Sequence, residues 1–348
     1  NYRDRSLGAK FFVDYQPVSW DILRLSYHLT KDIHKEKDDV YLPYSKSYAY
    51  TGSLGLENEF NLIKNLTLVG GVSYDWFDMK DSNKNITDKK TGNFIRQDDN
   101  KIPLIQHSWN PMGGLTYQID RDTKLFTSVA KKTRFPTLQE LYSSKGGNTD
   151  LNAEKSVNTT FGINHAFGGI AWVEVAGFYH RISDWISRDT PDPGGKYLNY
   201  GKIRMAGLEL NTEFYPPWVK NLVLSFDYMY NRAKDHSEGR VTDKVLNIPL
   251  HKVDVGLQYT VPRVGTRLDL NAIFVDQVYT RLPTPSYPDD PTIKSDSQMT
   301  FDCRISQNFL QYFEAYLAMN NMFDRDYEPE YGFPAIGRTL WFGLSAKY

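Results

Sequence analysis

Three groupings of residues in this chain have types and spacing suited to chemistry: acids at alternate positions, histidines in a chain rich in serine and aspartate, and aromatic side chains set among cations. The run DSNKNITD puts Asp81, Asn83, Asn85, Thr87 and Asp88 where oxygen ligands of a calcium loop would stand. Ile86 occupies the position that needs glycine and no Glu closes the twelfth place, so a solvated loop is the favoured reading. Asp289 and Asp290, between Pro288 and Pro291, read as a turn. Nucleophilic catalysis has little support. There is no G-x-S-x-G, and the seven His are dispersed at 28, 34, 107, 165, 180, 236 and 251. No enzyme, cofactor or resident metal is expected, although spacing does not exclude a Ser or Asp/His pair meeting in space. Binding is better supported: Arg134, Tyr142, Trp185, Tyr197, Tyr200, Tyr279, Tyr287, Tyr327 and Tyr331 gather near long connecting segments. Their stacking faces and fixed charges suit a large chelate, and many suit loop packing equally well.

The elements that must position these residues are strands. In residues 251–261, Val253, Val255, Leu257, Tyr259 and Val261 alternate with Lys252, Asp254, Gly256, Gln258 and Thr260. Successive side chains on a strand point to opposite faces, so one face is apolar and the other polar. About fifteen such segments follow by this rule, at 4–16, 20–34, 46–61, 66–79, 108–120, 123–132, 154–167, 170–188, 197–215, 222–235, 251–261, 266–280, 295–308, 313–328 and 337–348. Short connections such as Phe167-Gly168-Gly169 alternate with long ones at 35–45, 80–107, 133–153, 189–196, 236–250, 281–294 and 329–336. A meander with tight turns at one end and long loops at the other is the layout of an antiparallel transmembrane β-barrel.

Composition fits this all-β reading. The chain has 348 residues with 24 Tyr, 19 Phe and 7 Trp, and aromatics such as Tyr15, Tyr27, Tyr48, Tyr74, Trp76, Tyr228 and Tyr259 sit on apolar faces as an interfacial girdle requires. The mean hydropathy of -0.54 is compatible with a wall that shows lipid only every second residue. No apolar segment is long enough for a membrane helix. A net charge of -1 supplies no field for nucleic acid, and one Cys cannot form an internal disulfide. The opposite face carries Glu57, Glu59, Asp75, Glu209, Asp227, Asp254 and Asp302. These carboxylates either face an inserted domain or a cation path, or form ladders with Lys10, Arg24, Lys252, Arg304 and Lys347, and the ladder is the favoured reading.

Four stretches resemble the barrel of TonB-dependent outer-membrane receptors. KLFTSVAKKTRFPTLQELY (124–142) is similar to the family's strand leading into a Phe-Pro loop, and NTDLNAEKS (148–156), with Glu154, to the element that opens the next strand. YGKIRMAGLEL (200–210) carries the family's G-x-E as Gly207 and Glu209. NNMFDRDY (320–327), GFPAIGR (332–338) and the last strand resemble the family's ending, through Asn320, Phe323, Asp324, Tyr327, Gly337, Arg338 and the terminal Tyr348. The resemblance covers 225 residues, from Lys124 to Tyr348.

The resemblance implies a barrel of about 22 strands around an N-terminal plug. Fifteen is odd and bacterial barrels close on even counts, so residues 1–348 are expected to be about strands 8–22, with plug and coupling box upstream. The start at NYRDRS, without Met or signal segment, fits a processed or truncated chain. Gly207, on the inward register, is expected to let the backbone and plug approach closely. The implied function is binding and TonB-powered import of a scarce nutrient, first a ferric siderophore, then cobalamin or another metal chelate, with a passive porin as the alternative. Implied partners are the TonB energy-coupling complex through the plug, outer-membrane lipid and lipopolysaccharide around the wall, and phage or bacteriocin at the loops.

Overall fold

The computed structural model describes the whole chain except residues 89, 101–103, 189–194, 286, 311, 329–332 and 347–348 and the side chain of Tyr200. Among the described residues there are eighteen strands and one short helix. They are β1 (Tyr2–Val18), β2 (Asp21–Glu36), β3 (Ser45–Ile63), β4 (Leu66–Thr87), β5 (Phe94–Asp99), β6 (Ile105–Gln118), β7 (Thr123–Arg134), α1 (Leu138–Tyr142), β8 (Glu154–Phe167) and β9 (Ala171–Arg188). There follow β10 (Tyr197–Phe214), β11 (Leu222–Asp235), β12 (His251–Thr260), β13 (Thr266–Val275), β14 (Tyr279–Arg281), β15 (Ile293–Lys294), β16 (Gln298–Phe309), β17 (Phe313–Asn320) and β18 (Thr339–Ala346).

Every long segment expected from alternation is present as a strand. Fifteen of them form one continuous antiparallel path in chain order, from β1 to β18, with β5 attached beside β4 and β14–β15 paired separately. Each wall strand from β2 to β17 thus hydrogen-bonds both of its neighbours on the path, which satisfies the backbone without water. β1 and β18 each pair on one side only, so the described sheet is open.

The short turns use left-handed backbone where the chain must reverse. Gly168 and Gly169 both have positive φ, and the Ile170 N–H closes their turn on the Phe167 carbonyl at 2.9 Å. Two consecutive left-handed residues match the twist of the flanking strands. At the other end, expectations required adjustment. The loop expected at 80–107 contains the upper part of β4 and all of β5, paired from Asn83↔Asp99 to Thr87↔Phe94. DSNKNIT is therefore part of a hairpin, and Asp88 caps its turn by accepting the N–H groups of Lys90 and Thr91 at 2.9 and 2.8 Å. Alternation failed to mark this hairpin because both its faces meet solvent. The expected strands 266–280 and 313–328 end earlier, at Val275 and Asn320.

The two faces separate as the pattern requires. Leu25, Leu54, Leu56, Phe161, Leu208, Phe226 and Val255 are exposed on one face. On the other, Arg24 bonds Glu57 and Glu59, both at 2.9 Å, and Arg304 bonds Glu314 at 2.9 Å while lying 4.0 Å over the Tyr316 ring. The carboxylate ladder is thus present at Arg24 and Arg304; Lys347 lies outside the described residues.

Four glycines in the wall receive aromatic rings from the neighbouring strand. Gly52 stands opposite Trp76, Gly162 opposite Phe126, Gly207 opposite Phe178 and Gly343 opposite Tyr316, and each ring covers the space a Cβ would fill. A glycine otherwise weakens a strand, and a ring laid over it restores packing. At Gly207 the wall itself approaches closely, through Phe178 and the Tyr230 carbonyl. Gly207→Ala in the full-length protein is expected to lower stability by about 1–3 kcal/mol, since the obstructing oxygen belongs to the backbone. Gly70→Ala, which meets open space, is expected to change it by less than about 0.5 kcal/mol, as denaturant unfolding in a bilayer would measure.

Candidate functional site

The densest apolar packing lies at the long-loop end. Ala49 of β3, Phe77 and Met79 of β4 and Ile186 of β9 meet Leu138, Leu141 and Leu151 from the segment between β7 and β8. Ala49 and Met79 are register partners on the face that also carries Glu57 and Asp75, so this segment folds inward over the sheet. Leu138 and Leu141 point the same way because residues three apart share a helix face. A capping box starts the helix: the Thr137 side chain accepts from Glu140 N, and Glu140 accepts from Thr137 N.

Charge closes the segment at both ends. Arg134 grips Glu154 through two hydrogen bonds of 2.7 Å and reaches Glu140 at 3.0 and 3.1 Å. Glu154 in turn accepts Ile186 N at 2.7 Å. Such two-pronged, charge-assisted bonds hold geometry as well as energy. At the far side of the segment, Glu36 accepts from the Ser143 and Ser144 hydroxyls at 3.2 and 2.8 Å and lies 3.4 Å from His34, whose other nitrogen meets Asp4 at 2.6 Å. Glu36 stands fifteen residues up β2 from Asp21, roughly 38 Å at ordinary strand rise and tilt, well above an apolar band of about 25 Å. Burial opposes its charge, but the bonds from His34, Ser144 and Ser143 outweigh this and hold its pKa below the ordinary 4.5. Burial likewise opposes charge on His34, and Glu36 and Asp4 outweigh it, raising its pKa above 6.5.

Beside this inward segment lies a cavity of about 440 Å³. Ile186 and Ile203 form its floor, Val241, Val245 and Ile248 come from the segment between β11 and β12, and Leu282, Pro283 and Pro285 from the one after β14. Trp185 and charges of both signs, Arg188, Arg240 and Lys244 with Asp235 and Glu238, also line it. Ile203, Val245 and Leu282 are buried, so the lining is packed from behind. The loops are tied to the wall and to each other: His236 N donates to Lys202 O at 2.6 Å, Asp235 N to Asp243 O at 3.0 Å, and Asn247 N to Tyr279 O at 2.9 Å. A largely apolar hollow of this size with a few polar and charged groups suits part of an organic ligand.

The stretch resembling the family's ending forms a turn. Asn321, with φ of 50°, donates its N–H to Asp302 at 2.8 Å and exchanges side-chain bonds with Arg325, both at 2.9 Å. Asp324 accepts Arg338 N at 2.6 Å with the Arg338 guanidinium 3.8 Å away, and a side chain at Gly337 would meet the same carboxylate. Phe323 packs edge-on to Phe301 at 5.0 Å, and Tyr327 O accepts Ala335 N at 2.9 Å. Asn320 ends β17 opposite Thr339. These residues return the chain from β17 into β18.

The expected binding residues therefore divide. Trp185 lines the cavity, with Tyr200 opposite it in the register. Exposed Tyr287 sits at a tight turn with Thr284, which lines the rim. Tyr142 and Tyr197 pack on the inward cluster, Arg134 is committed to two carboxylates, and Tyr279 has Lys294 at 5.0 Å. Gly207 and Glu209 are wall residues, and Tyr331 and Tyr348 lie outside the described residues. Sequence reasoning missed Glu36, Asn321 and the apolar cavity lining. The capping spacing Thr137-x-x-Glu140 was a readable signal for the inward helix; the lining residues, assembled from separate loops, had none.

A family model described as TonB dependent receptor-like, β-barrel, matches residues 3–322. Among solved structures the chain is similar to the copper transporter OprC, with TM-score 0.77 and 16% identity over 99% of this chain and 57% of that one. It is similar at TM-score 0.70 and 16% identity to the FrpB iron transporter of Neisseria meningitidis, and equally to the ferric yersiniabactin uptake receptor FyuA of Yersinia pestis. In both cases 100% of this chain and 55% of the other is covered, so it spans little more than half the length of these proteins.

Arg134→Ala would leave Glu140 and Glu154 facing each other without their cation. Its half-exposed side chain limits the loss to about 1–3 kcal/mol, or roughly 10- to 100-fold faster proteolytic nicking in 135–153. The docking should also depend on pH. Glu36, with its lowered pKa, stabilises above about pH 4.5 and loses this as pH falls; His34, with its raised pKa, stabilises fully below about pH 6.5 and loses this as pH rises. Amide exchange around Ser144, corrected for intrinsic rates, should be slowest between those limits.

Proposed function

Because the chain belongs to the TonB-dependent receptor-like β-barrel family, whose members are outer-membrane barrels, we propose that it forms the wall and ligand-gathering mouth of an importer for a large scarce nutrient. A ferric siderophore is the first candidate, with cobalamin or another metal chelate next. The observation that carries this reading is the cavity of about 440 Å³ at the loop end, beside a segment clamped inward over the barrel face. In this reading the apolar lining packs the organic shell of a chelate, while Arg240 and Lys244 offer charge at the rim. No covalent bond of the ligand changes. Energy reaches the barrel from TonB through a plug, and the ligand passes when the plug yields. The match of residues 3–322 to the TonB-dependent receptor-like barrel family counts against a passive porin.

The test uses the full-length receptor. Ferric siderophores, cobalamin and copper chelates are titrated while tryptophan fluorescence is followed, since Trp185 lines the cavity. One class is expected to bind at about micromolar Kd or tighter. Val245→Trp, which fills the hollow, should weaken it about tenfold or more. In parallel, a deletion strain is grown on each nutrient. If uptake of every iron, cobalamin and metal chelate survives deletion, the nutrient-receptor reading is wrong.

A further inference from the structure

The cavity at the loop end differs in character between its back and its mouth. Its buried lining residues are Ile186, Ile203, Val245, Leu282 and Ser237. The polar member of this group is already engaged: the Ser237 hydroxyl accepts Lys202 N at 3.1 Å and donates to Asp235, which also accepts Ser237 N at 2.7 Å. Among the described residues, the back therefore offers a ligand only aliphatic side chains.

The mouth is charged. Arg240, Lys244 and Glu238 are exposed there beside exposed Val241, and half-buried Arg188 and Asp235 complete the charged lining. Cations prevail in this group. Arg240 donates to the Ser237 carbonyl at 2.9 Å, Asp235 is turned to Ser237, and Asp243 is shared between Lys234 at 2.7 Å and Lys244 at 3.6 Å. One carboxylate set between two lysines leaves a positive charge uncompensated, and an anion at the mouth would meet it. Arg240 and Val241 are chain neighbours, as are Lys244 and Val245, so the charged and apolar linings meet along one segment. A single ligand can reach both.

We infer that the cavity takes an amphiphilic metal chelate, with a saturated hydrocarbon arm in the apolar back and an anionic metal-binding head at Arg240 and Lys244, a narrowing of the nutrient-receptor reading, on which it rests. Each methylene that enters the back leaves water for a space that aliphatic walls keep dry. A ring arm such as a catechol fits less well. Its hydroxyls would lose water where the Ser237 hydroxyl is already engaged, and among the described lining residues only Trp185 offers a ring for stacking. A wholly polar chelate would leave the back unfilled.

The full-length receptor, held in amphipol without detergent, is titrated by calorimetry with one series of probes. These are anionic iron(III) complexes of a citrate-bridged dihydroxamate whose acyl arm lengthens from two to fourteen carbons in steps of two, and protein-free amphipol is the blank for partition of the arm. Affinity should rise about tenfold or more from the two-carbon to the six-carbon arm, then level off once the hollow is full. Leu282→Ala, which deepens the hollow, should move the levelling point to a longer arm, and Leu282→Trp should move it to a shorter one. Opposite shifts at one residue separate filling of the cavity from misfolding. Arg240→Gln with Lys244→Gln should weaken the whole series about tenfold and keep its dependence on arm length. The ten-carbon acid without a chelating head should bind about tenfold or more weakly than the ten-carbon chelate. Failure of every probe to bind, affinity that ignores arm length, a levelling point that neither Leu282 variant moves, an unchanged series in the Arg240/Lys244 variant, or equal affinity for the plain acid would each overturn the assignment. The receptor reading itself would still stand or fall on growth of the deletion strain.

Discussion

A wall in contact with hydrocarbon must satisfy every backbone N–H and C=O within itself, and everything else in this structure follows from that requirement. It imposes an antiparallel ladder in chain order, and the ladder imposes a period of two on side chains. The same period gives Arg24 its position across from Glu57 and exposes Leu54 and Leu56 on the other side. It also sets the conditions for glycine. A wall strand with glycine at Gly52, Gly162, Gly207 or Gly343 would be thin at that point, and in each case the opposed residue is aromatic. The register that completes the ladder is thus the register that repairs its weak places.

At the loop end the backbone is released from that constraint, and order has to come from elsewhere. Here it comes from burial combined with charge. Leu138, Leu141 and Leu151 supply the apolar contact that draws the segment after β7 inward, and Arg134, Glu140 and Glu154 fix its direction. The burial and the ion pairs need each other. Without the cluster, the half-exposed ion pairs would be worth little in solvent; without Arg134, two shielded carboxylates would oppose the docking they now support. Glu36 performs the same service across the mouth, tying Ser143 and Ser144 to the end of β2.

This division explains what was legible in the sequence. The fifteen wall strands could be read because alternation is local: each strand carries its own signal, whatever its neighbours. The short turns could be read for the same reason, through Gly168-Gly169 and their equivalents. β5 escaped because a hairpin standing in solvent has no apolar face to alternate, and α1 because five residues are too few to show a helical period. The candidate site was legible only in part. Aromatic and cationic residues near long loops pointed to the end where the cavity lies, and Trp185 lines it. Arg134, however, carries the same chemical signature as a ligand-gripping arginine, and only its distances to Glu140 and Glu154 assign it to the scaffold.

The two faces of the wall also treat charge differently. The inward carboxylates are bonded to neighbouring strands where cations are in reach, so their charge is consumed by the fold. Among the described residues, the outward arginines at 181, 204 and 232 have no carboxylate in reach. Between Arg204 and Arg181 the ladder forces like charges into direct opposition, a situation that one intervening carboxylate would relieve, as Asp243 relieves Lys234. The fold solves this problem with cross-strand ion pairs at Arg24 and Arg304 and, among the described residues, leaves Arg204 and Arg181 without such a pair.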